Sequence, residues 1–234
     1  MILQKFDIME KLSIKPSASG LARIDGGEKF GSALRRSQAL DREGHAEEAC
    51  RMRFDAVQRL DDLLGDDPVA LDWADGATRS CLELIYASAA DHFAIGDAEM
   101  AAALWERLLE LDEEDHTEAV VMLAFCYVEL EDYDCFDDAL FDISSKSPEY
   151  SLLALWRVYR RTGGIDVDAL RALRTRHRAW YDEFTAEEHP ADEKYMAECR
   201  GERASASTEA RELWFATAAL WERHPDFIEA LRRA

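Results

Sequence analysis

Three arginines in one short segment have the spacing to bind an anion. Arg157, Arg160 and Arg161 lie in the sequence SLLALWRVYRRTGG. If this segment is helical, Arg157 and Arg161 share a face, because side chains four residues apart are neighbours on a helix. Two guanidinium groups placed in this way can hold a carboxylate or phosphate through paired hydrogen bonds. The pattern predicts an anionic anchor; the alternative is that these bases neutralise acidic neighbours in the same chain.

An acidic run, DYDCFDD, extends from Asp132 to Asp138 and could suggest a calcium site. A calcium loop of the EF-hand type needs a central glycine and a final bidentate glutamate, and neither is placed correctly here. The run is better interpreted as a solvated turn and helix start, where carboxylates favour the positive end of the helix dipole. We therefore expect no metal site.

The remaining residues with reactive side chains give no catalytic set. His116 lies in a polar turn and is expected at the surface, whereas His92 lies among apolar residues and is expected to pack there. The sequence contains no glycine-rich phosphate loop, no GxSxG elbow and no HExxH motif. We expect no cofactor and a protein that is not an enzyme. The cysteines lack metal-binding spacing and are expected to be small core residues: Cys50, Cys81, Cys126, Cys135 and Cys199.

Composition limits the partners and the location. The formal net charge of −21 over 234 residues argues against general binding to DNA or RNA, whose phosphates would be repelled. No apolar run is long enough to span a membrane, so no membrane partner is expected. The first residues, MILQKFDIMEKLSIKP, lack the pattern of a secretory signal. With an odd number of cysteines, these features predict a cytoplasmic protein with reduced thiols.

The stretch 117–150 has the pattern of two amphipathic helices folded back on each other. A polar turn at Glu131 and Asp132 separates them. Pro148 is expected to end the second helix, because proline lacks an N–H group and clashes with the preceding turn. Apolar residues recur at the spacing of a buried helical stripe, namely Val120, Leu123, Ala124 and Tyr127 in the first helix and Phe136, Leu140 and Ile143 in the second.

A similar hairpin precedes it, from Leu82 to Asp115, with a turn at Gly96 and Asp97. Both hairpins resemble the tetratricopeptide repeat (TPR), a helical unit of about 34 residues. Looser copies begin at Ala33 and at Ser151. The resemblance implies an all-α fold in which antiparallel hairpins form a right-handed array, a TPR-like solenoid. The residues that carry it are Leu123, Ala124, Tyr127 and Pro148 in the later hairpin, and Ala89, Gly96, Ala101 and Trp105 in the earlier one.

The rest of the chain divides around these repeats. Residues 1–27, rich in proline, serine and glycine, predict a flexible arm or a strapped-down extension. Residues 28–184 hold the repeats, and residues 185–207 are expected to be a loop or linker with at most one short helix. Residues 208–234 are expected to form C-terminal capping helices.

The TPR resemblance also implies where a ligand would bind. Members of this family bind ligands on a concave face lined by the first helix of each hairpin. The protein is therefore expected to be a non-catalytic adaptor or scaffold for a protein or peptide, including one that carries an anionic group. One alternative is an all-helical enzyme with a pocket not visible in sequence motifs. A second alternative is that the aromatic residues of this face belong to the core and are covered by another helix. The predicted binding residues are Tyr86, Phe93, Val121, Phe125, Arg157, Arg160 and Arg161.

The C-terminal helix has an apolar side that must be covered. Leu213, Trp214 and Trp221 lie on one side of the segment that starts at Thr208. A solenoid needs its exposed apolar end covered by a terminal unit. We expect this helix to pack as a cap against Leu173 and Trp180, with placement in the concave face against Phe93 and Phe125 as the alternative.

Overall fold

The chain is mostly helical, which confirms the all-α class predicted from its sequence. A computed structural model describes residues 12–65, 67–201 and 203–234. None of the helices formed by these residues has the length and apolar character that crossing a membrane requires. The twelve helices of these residues are α1 (Glu28–Arg42), α2 (Ala46–Leu64), α3 (Gly76–Ala94), α4 (Ala98–Leu111), α5 (Ala119–Glu129), α6 (Tyr133–Asp142), α7 (Pro148–Thr162), α8 (Val167–Arg176), α9 (Arg178–Phe184), α10 (Glu193–Glu198), α11 (Ala206–Arg223) and α12 (Pro225–Arg233).

The chain divides into two compact units. The first unit comprises the described residues up to Ala89 together with Ala103–Ala119. The second unit comprises Ala90–Ala102 and Val120–Ala234. Six of the seven predicted binding residues belong to the second unit, and Tyr86 belongs to the first.

The first eight helices follow one another as four pairs, at the places where the hairpins were predicted. The turn inside each pair contains one residue in the left-handed region, at Gly44, Gly96, Glu131 or Gly163. Glu131 has φ of 57° and occupies the position that glycine holds in the other three turns. Helix α1 packs on α2, and α7 packs on α8. Stacking of all four pairs into one array stays a prediction.

The stripes predicted from spacing are mostly buried. Trp105 and Leu108 of α4 are fully enclosed in the first unit, and Phe136 of α6 is enclosed in the second. Each large apolar side chain removed from water stabilises the fold by about 1.5–3 kcal/mol. Of the predicted stripe in α5 and α6, Leu123, Ala124 and Ile143 are also buried, whereas Val120, Tyr127 and Leu140 are half-buried.

The role predicted for Pro148 is wrong. Helix α6 already ends at Asp142, and Pro148 is the first residue of α7. The N–H of the first helical residue has no partner within the helix, so proline costs nothing there and its fixed φ suits the helix. The Ser147 side chain caps α7 by accepting a hydrogen bond from the Tyr150 N–H.

Part of the predicted N-terminal arm forms a β-hairpin instead of a flexible segment. Residues 1–11 of that arm lie outside the described part. Strand β1 (Ser13–Pro16) pairs antiparallel with β2 (Ala22–Asp25). Ala22 also pairs with Leu71, and the Ser19 hydroxyl donates to the Asp72 carboxylate at 2.9 Å. The hairpin is thus strapped to the first unit, which agrees with the second interpretation of the arm.

The segment before α11 contains one short helix, α10, within the region where the sequence predicted one at most. Glu198 at its end accepts hydrogen bonds from the hydroxyls of Ser205 and Thr208, at the start of α11. These bonds lower the pKa of Glu198 to about 2. Helix α11 then ends at Arg223, and Pro225 begins α12.

A matched pair of glycine substitutions tests the turn geometry. Gly163 has φ of 70° and nothing within 4 Å of an added Cβ, so Gly163→Ala should cost about 1 kcal/mol from backbone strain alone. Gly76, at the start of α3, has ordinary φ, and an added Cβ would meet only Arg79 at 3.9 Å. Gly76→Ala should therefore be neutral or stabilising. Urea unfolding of both variants measures this, and equal effects would contradict the turn assignment.

Candidate partner-binding face and its occupant

Tyr86, the predicted binding residue of the first unit, is half-buried and does not project freely into solvent. Its ring centroid is 6.0 Å from that of Trp105. Burial raises the pKa of its hydroxyl to about 12, with the carboxylates of Asp115 and Glu118 acting in the same direction. The phenol is therefore protonated at neutral pH and forms part of the packing of α3 against α4.

The apolar binding residues predicted in the second unit are largely enclosed. Phe93 is 1% exposed and Phe125 is 0% exposed, whereas Val121 is half-buried. Side chains this deeply buried are in contact with other protein groups on all sides. Other elements of the chain must therefore cover Phe93 and Phe125.

The C-terminal helix α11 is the element that covers Phe125. The Trp221 ring packs edge-on against Phe125 and against Trp156, with centroid distances of 5.8 and 5.3 Å. Phe227 of α12 adds a further contact to Trp156 at 5.0 Å. Edge-to-face pairs at these distances are favourable beyond the area they bury. The alternative placement considered for this helix, against Phe125, is thus confirmed for its C-terminal end.

A polar cluster lies beside these aromatic rings. Arg160 of α7 donates to the Glu129 carboxylate of α5 at 2.6 Å. His224, which follows α11, has its Nε2 3.0 Å from Arg160 and 3.1 Å from Glu129. When Nε2 carries a hydrogen it donates to Glu129, and when it does not it accepts from Arg160. The junction of α11 and α12 is therefore hydrogen-bonded to α5 or α7 in either form of the ring.

The end of α11 also reaches α3. The Arg223 guanidinium lies 3.5 Å from the carbonyl oxygens of Phe93 and Ala94. These carbonyls belong to the last turn of α3, where the helix dipole is negative and a cation is favoured. The Arg223 guanidinium also lies close to Gly96. A Cβ added at this glycine would be 3.6 Å from the guanidinium.

One short segment therefore contacts the first helix of three successive pairs. We call the set Phe93, Phe125, Glu129, Trp156 and Arg160 the first-helix face. Its residues come from α3, α5 and α7, and all of them lie in the second unit. This arrangement can hold an amphipathic helix through aromatic contacts, one guanidinium at a helix end and one hydrogen-bonding ring.

The other two predicted anchor arginines also have partners within the chain. Arg157 donates to the Asp137 carboxylate at 2.6 Å, and its guanidinium lies over the Phe136 ring. The Arg161 guanidinium lies 5.2 Å from the centroid of the Tyr133 ring. An anionic ligand would have to compete with these contacts, so the structure favours the interpretation in which the basic helix neutralises its acidic neighbour.

The N-terminal half of α11 packs along α9, the helix that contains Trp180. Arg211 of α11 forms two hydrogen bonds, at 2.7 and 2.8 Å, with the buried carboxylate of Glu183. His189 also contacts this carboxylate at 2.9 Å and stacks on Trp214 with centroids 3.8 Å apart. Helix α11 therefore packs on α9 and, at its C-terminal end, on Phe125, whereas its role as the cap of a solenoid stays a prediction.

The carboxylate of Glu183 is held in its charged form. Burial by itself raises the pKa of a carboxyl group, but the hydrogen bonds from Arg211 and His189 outweigh it. The pKa of Glu183 therefore lies below its ordinary value of 4.5. The ion pair consequently depends on pH only in acid.

His116 is exposed, as its place in a polar turn predicted, and its ring has partners. Its Nδ1 is 2.7 Å from the buried carboxylate of Asp112, and its ring stacks on Trp73 with centroids 4.9 Å apart. The Glu114 carboxylate lies 3.3 Å from the other ring nitrogen, Nε2, so His116 joins two carboxylates of the turn after α4. Across the part of the chain that the structure describes, no group of three or more His, Cys, Asp or Glu residues is placed to hold a metal ion. Burial raises the pKa of the Cys81 thiol to about 12.

Sequence reasoning missed Glu129 and His224. Both are polar residues at helix ends, and nothing in their immediate neighbours distinguishes them from solvated side chains. The dipeptide His224–Pro225 marks the break between α11 and α12. It was a usable signal, because proline at the first position of α12 makes the preceding residue a helix cap.

Removing the Arg160 guanidinium tests the polar cluster. Arg160→Met should lower the free energy of unfolding by about 1–3 kcal/mol, because it deprives the partly buried Glu129 carboxylate of its closest donor. Arg171→Met is the matched control, since that arginine is 68% exposed and pairs only with Asp168 of its own helix. The control should change stability by less than about 0.5 kcal/mol. Equal losses in chemical denaturation would contradict the internal role of Arg160.

Acid denaturation tests Glu183. Because its pKa is lower in the folded chain, its contribution to stability is full above pH 4.5 and is lost as the pH falls through the folded value. Glu183→Gln should therefore destabilise the protein at neutral pH, and its difference from the parent should shrink below pH 4.5. Glu229→Gln, at a half-exposed position of α12, should change little at any pH. A pH-independent difference for Glu183→Gln would contradict this assignment.

Comparison with protein-family models, with curated proteins and with solved structures finds no match to this chain. The TPR resemblance therefore rests on the residues of the sequence itself. The contacts of the first-helix face are therefore the basis for the function proposed below.

Proposed function

We propose that this protein is a non-catalytic, TPR-like adaptor that binds a helical segment of another protein. One observation carries the proposal: the first-helix face already holds an amphipathic helix, α11, through Phe125 and Trp156. A surface that packs an aromatic helix within the chain has the shape and chemistry to recognise such a helix in a partner.

The charges of the chain favour a basic partner over an anionic one. The three arginines of α7 are engaged by Asp137, Glu129 and the Tyr133 ring. The chain carries a net charge of −21, which attracts cations and speeds the encounter with a basic segment at low salt. An anionic group is therefore not part of the partner proposed here.

Site-directed photocrosslinking in the native host tests this function. A photoreactive amino acid in place of Val121, which is half-buried on α5 one turn before Phe125, should capture a partner protein. The same group at Arg171, exposed on α8, is the matched control and should not capture that protein. The crosslinked partner peptide should be an amphipathic helix. Recovery of no protein at Val121, or of the same proteins at both positions, would contradict the proposal.

A further inference from the structure

The segment α11–α12 contacts the first-helix face through two aromatic rings, one guanidinium and one imidazole. Trp221 and Phe227 supply the aromatic contacts, Arg223 covers the end of α3, and His224 joins the Arg160 cluster. These four residues lie within seven positions of one another in the sequence. A partner helix carrying the same groups at the same spacing would satisfy the face equally well.

The segment leaves one donor of the face without an acceptor. The indole N–H of Trp156 is buried, and no described residue accepts a hydrogen bond from it. The Trp156 ring is the one that Trp221, His224 and Phe227 surround. An unpaired buried donor costs free energy that a better matched occupant would recover. The fit of α11–α12 to the face is therefore incomplete.

We propose that α11–α12 is a replaceable internal occupant of the first-helix face, and that the partner is an amphipathic helix that offers this face the same aromatic and basic groups. This rests on the proposed function, and it specifies the partner and the regulation of that site. The partner helix presents a tryptophan or phenylalanine, followed within one turn by an arginine or lysine. It binds when α11–α12 leaves, so the apparent affinity falls with the fraction of molecules whose face is open.

The charge of the face decides against an acidic partner. The carbonyl oxygens at the end of α3 and the Glu129 carboxylate accept hydrogen bonds and favour cations. The base of the cluster, Arg160, is already bonded to Glu129. A partner carrying aspartate or glutamate in place of Arg223 would meet like charge, which disfavours binding.

Binding of a synthetic peptide in trans tests the proposal on the full chain. The probe is a fluorescent peptide with the sequence of residues 206–233. The Trp221→Ala variant loses the central contact of its own α11 but keeps every residue of the first-helix face. It should therefore bind the probe at least about tenfold more tightly than the parent protein does. Trp73→Ala, which removes a tryptophan stacked on His116 in the first unit, is the matched control and should bind like the parent.

The peptide gives a second control. A probe with alanine in place of Trp221 should lose binding to the Trp221→Ala protein, and a probe with glutamate in place of Arg223 should bind more weakly. A folded Trp221→Ala protein that binds no probe would overturn the proposal. Binding accompanied by dimerisation of the parent chain would also overturn it, because the occupant would then be a second copy.

Hydrogen exchange of the unaltered protein keeps the proposal testable if the variant fails to fold. Amides of α11 and α12 should exchange through a partial opening that leaves α5 and α7 protected. Exchange of all four helices only in global unfolding would show that α11–α12 is a fixed part of the core. In that case the internal occupant fails, while capture of a partner at Val121 would still support the adaptor function.

Discussion

The contact of Trp221 with Phe125 and Trp156 is the interaction that positions the C-terminal segment of the second unit. It buries three large aromatic rings together and fixes where the C-terminal helix lies. Polar groups lie beside it, since His224, three residues after Trp221, meets both Glu129 and Arg160. A face that would otherwise be an exposed apolar patch is thereby covered, and exposed patches of this kind favour association.

This arrangement joins stability and recognition in one surface. The rings that hold α11 are the rings that a partner would use, so anything that tightens the internal contact weakens partner binding by mass action. The N-terminal half of α11 is held separately by the Arg211–Glu183 ion pair. The N-terminal half of α11 therefore combines a buried ion pair with stacking of Trp214 on His189, whereas its C-terminal end depends on aromatic packing with a few hydrogen bonds.

The basic helix α7 shows how residue types alone mislead about function. In a strongly acidic chain, three arginines close together on one predicted helix suggest a docking site for anions. In the folded chain they contact Asp137, Glu129 and the Tyr133 ring. Paired charges of this sort, once partly buried, cost free energy to separate, and they serve the packing of neighbouring helices more than a ligand. Under the proposed function, the partner chemistry that these contacts leave open is apolar and basic.

The sequence by itself determined the helices, because each needs only local periodicity and a turn. Leu123, Ala124 and Phe136 were identified as core from their spacing, and Gly44, Gly96 and Gly163 mark turns that require positive φ. Glu131 takes the same conformation without the glycine signal, and the four-residue strands of the hairpin were too short to recognise. Only the tertiary structure decided that α11 covers Phe125 and that His224 meets Glu129, 95 residues away along the chain. Such contacts depend on the summed packing of many residues, and no local pattern records them.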